Sequence, residues 1–134
     1  MQQDFEAALA KWHEFVRSEG QRVDILDGLL ANEVVFRSPG VWTPQAGKLI
    51  TTRYLVSAAQ VLQDFQYLRQ FHSEDSVALE FTARIGDIIV KAMDIIRFNG
   101  EGKIIDFEVM ARPAKALQAL AGAMAERLAS YKSE

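Results

Sequence analysis

The chain contains no cysteine. That excludes disulfides, thiolate nucleophiles and cysteine-held metal, and it fits a reducing compartment. Histidine is almost as scarce. His13 and His72 are the only two, and they stand far apart in the sequence. They make no recognisable ligand set, so no metal and no cofactor is expected. Three prolines and eight glycines leave no linker or low-complexity tract. Basic runs are missing too. The net charge is −3, with both signs spread along the chain, so neither nucleic acid nor a membrane surface is an expected partner. No apolar run approaches membrane-spanning length and no signal-peptide core is visible, which makes the cytoplasm the default compartment. Ser38 is not in a Gly-X-Ser-X-Gly elbow, and Gly100 and Gly102 read as hairpin glycines rather than a phosphate loop.

What is present is an ordinary globular composition. The 134 residues are 49% hydrophobic and 25% charged, enough for a single domain over 1–134 with a sizeable core. Ala8, Leu9, Trp12, Phe15 and Val16 recur at helical spacing and predict a helix over 4–19, ended by Gly20. A second helix is expected over 22–31, a short strand over 33–38 stopped by Pro39-Gly40, and a loop over 41–47. A third helix covers 48–62. Strands follow at 65–73, 77–86, 88–98 and 103–112, with connections short enough for antiparallel hairpins. Pro113 opens a last helix.

Period-two counting assigns the strand faces. Ile105, Phe107, Val109 and Ala111 form one face of the last strand, opposed by Ile104, Asp106, Glu108 and Met110. His72 falls outward with Gln66 and Gln70. The strand at 88–98 is apolar on both faces, so both are covered. Helices cover one. A second copy of the chain is the simplest cover for the other, which predicts a homodimer through Met93, Ile95 and Met110, flanked by Glu80, Arg84, Asp106 and Glu108.

One carboxylate interrupts the apolar run of 88–98. Asp94 shares the inner face with Val90, Ala92, Ile96 and Phe98. A charge there is costly unless it is paired or protonated. Tyr54, Trp12, Trp42 and His13 are the neighbours that could bond it.

The element order, with Phe36-Arg37-Ser38-Pro39-Gly40, Gly47 before Arg53-Tyr54, and Met93-Asp94-Ile95-Ile96-Arg97-Phe98-Asn99-Gly100-Glu101-Gly102-Lys103-Ile104, resembles the nuclear transport factor 2-like superfamily. Within it the chain is similar to the ketosteroid isomerase and SnoaL-like (polyketide cyclase) branch. The resemblance implies an α+β cone, a curved antiparallel sheet wrapped on three N-terminal helices plus a C-terminal helix. It also implies an apolar cavity that takes a small hydrophobic ligand. The isomerases keep the matching aspartate protonated so that it donates to a developing oxyanion, and Asp94 stands at that position. Their general base is an aspartate where this chain has Ser38. Their first-helix tyrosine aligns near Trp12 or His13. Related epoxide hydrolases place an arginine two residues before an inward aspartate; here that residue is Ala92. The resemblance thus implies Asp94 as a catalytic residue. His13 is the expected proton acceptor paired with it, because an imidazole titrates near neutrality unperturbed. Trp12, Ser38, Trp42, Tyr54, Phe81, Phe107 and Val109 are the expected ligand contacts. The reaction class would be a cofactor-independent isomerisation or cyclisation, and a non-catalytic binding or dimerisation module is the alternative.

Overall fold

The computed structural model describes residues 2–132. Its elements are α1 (Gln2–Arg17), α2 (Val23–Leu29), β1 (Leu30–Arg37), β2 (Gln45–Ala46), α3 (Lys48–Val61), β3 (Gln63–Ser73), β4 (Ser76–Ile85), β5 (Ile88–Phe98), β6 (Ile104–Arg112) and α4 (Ala114–Lys132). The six strands form one curved, unclosed sheet in the order β2-β1-β6-β5-β4-β3. This is the expected α+β cone, with two differences. A two-residue strand, β2, lies inside the expected loop and pairs with β1. The sheet is also not wholly antiparallel, because β1 runs parallel to β6. No hairpin can join strands so far apart in sequence; α3 and the other strands lie between them in the chain.

The core lies in the concave side of the sheet. Helices α1 and α2 supply Leu9, Trp12, Phe15, Leu26 and Leu29, and these meet Val77, Leu79, Ile96, Phe98, Ile104 and Phe107 from β4, β5 and β6. A smaller cluster of Phe81, Ala83, Val90 and Ala92 is closed by Ala116 at the start of α4. Gly20 follows α1 at φ +82°, and a Cβ there would come within 3.0 Å of the Ala59 side chain and 3.2 Å of the Val56 carbonyl. Glycine therefore both turns the chain and lets the end of α1 lie close on α3. No described helix is long and apolar enough to cross a membrane.

Two expected strand faces change at bulges. In β6, Phe98 pairs with Ile104 and Arg97 with Asp106, so Ile105 is an extra residue. Ile104, not Ile105, is the fully buried side chain. In β3 the register shifts between Tyr67 and Gln70, and His72 then pairs with inward-facing Val77. His72 and Gln70 therefore lie on the concave side of the edge strand, not on the outer face, though both stay exposed.

The outer face carries a lattice of ion pairs. Glu80, only 5% exposed, is gripped by Arg69 through both oxygens at 2.7 and 2.8 Å and by Lys91 at 3.2 Å. Its cover is these two cationic side chains rather than core. The Arg69 hydrogen bonds, above all, hold its carboxyl down at about 2. Arg84 pairs with Asp64 and Arg37 with Asp106. Between them lie half-buried Met93 and Ile95 and exposed Met110.

Candidate functional site

Alternation along β5 sends Asp94 into the cone, between its cross-strand partners Leu79 and Val109. It is 5% exposed. Burial dominates its electrostatics and pushes its carboxyl up from 3.8 to about 7, with a hydrogen bond from Tyr67 pulling the other way. The Tyr67 hydroxyl donates to Asp94 Oδ2 at 2.7 Å. The Trp12 indole Nε1–H donates to that same hydroxyl at 2.8 Å. Trp12, Tyr67 and Asp94 thus form a relay in which the phenol proton is committed to the acid. Burial, then the Asp94 charge, holds the phenol well above its usual range. Oδ1 accepts no hydrogen bond among the described residues, and Asp94 borders the cavity.

That cavity has a volume of about 1040 Å³, at the upper end for small-molecule sites. Its walls come from α1, β1, α3, the concave face of the sheet and α4, which lies across the open side with Leu120, Met124 and Leu128. Trp12, His13, Ser38, Tyr54, Phe81, Phe107, Val109 and Asp94 all border it. Aromatic contacts fix the wall. Trp12 lies 4.9 Å from Phe107, Phe36 lies 4.9 Å from Tyr54, and Phe65 stacks on Phe81 at 4.5 Å between ring centres. The His13 ring meets the Tyr67 ring edge-on at 5.1 Å. Burial, then Arg17 nearby, lowers the His13 pKa from its ordinary value, which favours the neutral imidazole.

Trp42 is the exception. It is 98% exposed, and it sits over an outer groove with Pro44, Glu108 and Met110. Its loop leaves β1 away from the cavity, and only Ser38 to Val41 at the base of the loop border both hollows, with Val109. Trp42 is therefore not a cavity contact. The bonding partner of Asp94 is also not among the four named from sequence. Tyr67 holds that place, and the signal for it was strand parity, since Tyr67 pairs with Phe81 on the same inner face.

A solved steroid delta-isomerase from Pseudomonas aeruginosa is 42% identical to this chain, over 98% of this chain and 96% of the other, with a TM-score of 0.92. The chain belongs to the nuclear transport factor 2-like superfamily, in its ketosteroid isomerase-like branch. An uncharacterised bacterial protein of cystatin-like fold from Silicibacter pomeroyi is 32% identical over 90% of this chain and 84% of its own, with a TM-score of 0.83. A nuclear transport factor 2-like protein of unknown function from Mesorhizobium loti, at 14% identity over 83% and 93% and a TM-score of 0.69, shares the fold. No family model and no curated protein matches. In this chain Asp94 faces the cavity from β5, and Trp12, His13 and Ser38 border the same space.

Proposed function

We propose that the protein binds a small, mostly apolar carbonyl compound in the cone and isomerises it without a cofactor. The observation that carries this reading is a buried acid, poised near neutrality, at the wall of a large apolar cavity. In its neutral form Asp94 donates from the carboxyl to the carbonyl oxygen, stabilising an enolate as it forms. Tyr67 and Trp12 hold the carboxyl in place. Neutral His13 takes the proton from the carbon next to the carbonyl and returns it further along the conjugated system. The relative named as a steroid delta-isomerase makes a ketosteroid the natural probe.

The test is conversion of a β,γ-unsaturated ketosteroid to its conjugated isomer, followed by ultraviolet absorbance. Turnover is expected to fall as pH rises through about 7 and to drop by about a hundredfold or more in Asp94→Leu and His13→Phe. Binding without conversion in the wild type would favour a second reading, a ligand-binding module. Ser38 supports that alternative, because a hydroxyl without a helper cannot replace a carboxylate base. We also propose that the chain is a homodimer, joined through Met93, Ile95 and Met110 on the outer face.

A further inference from the structure

Five arginines of the described chain, Arg22, Arg37, Arg69, Arg84 and Arg97, are held in ion pairs. Arg53 stacks over the Tyr131 ring at 4.8 Å. Arg17 and Arg127 have neither kind of partner among the described residues, and both border the cavity. Each is exposed, towards the outer end of a helix that forms a cavity wall.

Both arginines lie further along their helices than the buried wall residues Phe15 and Leu120. On α1, Trp12 reaches the acid through Tyr67, His13 follows, and Arg17 is one turn beyond His13, about 6 Å along the axis. On α4, Leu120 is buried while Arg127 lies two turns further out, about 10 Å along that axis. Two carboxylates, Asp64 and Glu19, also border the cavity. Asp64 is occupied by Arg84 at 2.8 Å, and Glu19 makes no ion pair with either arginine among the described residues. The cavity is thus mostly apolar in its walls, protonatable at Asp94, and bordered by two exposed arginines that have no ion-pair partner among the described residues.

We infer that the ligand is amphipathic, with a carbonyl facing Asp94 and a carboxylate at its far end that Arg17 and Arg127 receive at the rim. This rests on the reading of the cavity as a carbonyl site. Guanidinium groups suit the role because they pair with carboxylates through two parallel hydrogen bonds. An unpaired cation at an opening also attracts an anionic ligand before it enters.

The experiment compares two probes by calorimetry at low salt. One is a keto bile acid, with a ring ketone and a side-chain carboxylate, and the other is its methyl ester. The ester adds apolar surface, so any advantage of the acid comes from its charge. The acid is expected to bind about fivefold tighter or more. That ratio should fall towards one in Arg17→Gln and in Arg127→Gln, and in wild type as salt is raised. An acid that binds no tighter than its ester overturns the inference, as does an advantage that survives both substitutions. If the ester binds and the acid gains nothing, only the anion assignment is lost. If neither binds, the carbonyl reading falls with it.

Discussion

Asp94 ties the stability of the protein to its proton. Folded, the carboxyl titrates near 7; in the unfolded chain it returns to about 3.8. Between those values the folded state keeps a proton that the unfolded state has released. Stability is unaffected below the lower value and falls progressively from there until pH passes the upper one. Asp94→Asn has no proton to lose. Its stability relative to wild type should therefore rise by about 2–3 kcal/mol between about pH 5 and pH 8, read from urea midpoints. A difference that stays flat across that range would mean the carboxyl titrates normally, and the neutral-donor role would be lost. The acid itself was legible in the sequence, because a lone carboxylate on the inner face of an apolar β run must be desolvated, and that cost marks it out. Tyr67 was harder to read. Parity puts its ring on the inner face, but the reach of its hydroxyl to Asp94 from two strands away depends on register. Trp42 shows the opposite failure. Hydrophobicity argues for burial, but the conformation of the loop between β1 and β2 turns that ring into solvent.

At the level of elements, alternation read β4, β5 and the later part of β6 correctly and failed at the bulges in β3 and β6. Nothing in Ile104-Ile105 says which isoleucine goes inside, since both are β-branched and apolar. The bulge decides, and it puts Ile104 opposite Phe98. Ile104→Ala should cost about 2–5 kcal/mol and Ile105→Ala about 1, measured by chemical denaturation. Equal losses would place the extra residue elsewhere in β6. The register shift in β3 has the same character, and it moves His72 to the other side of the strand. The boundaries of α3 and β5 were legible to within a residue. β2 was not, because two residues are too few to carry a periodic signal.

For the whole molecule, the outer face was read from the two apolar faces of the strand at 88–98, and three of its flanking charges turn out to have partners of their own. Glu80, Arg84 and Asp106 are already paired within the chain, which leaves Met93, Ile95 and Met110 as the apolar strip for a second copy. Sedimentation should give twice the 15.0 kDa of one chain, and Met110→Glu, at an exposed position, should return it to a single chain. Wild-type protein that sediments as one chain at high concentration would remove the dimer. The parallel pairing of β1 with β6 went unread because neither strand carries a mark of its partner's direction. It also bears on how the protein is made. As the polypeptide leaves the ribosome, its first strand must wait for the last before it gains that neighbour, with α3 and three long strands emerging in between. A translation product that stops before β6 also lacks Phe107 and Val109, two residues of the cavity wall, the second of them paired with Asp94.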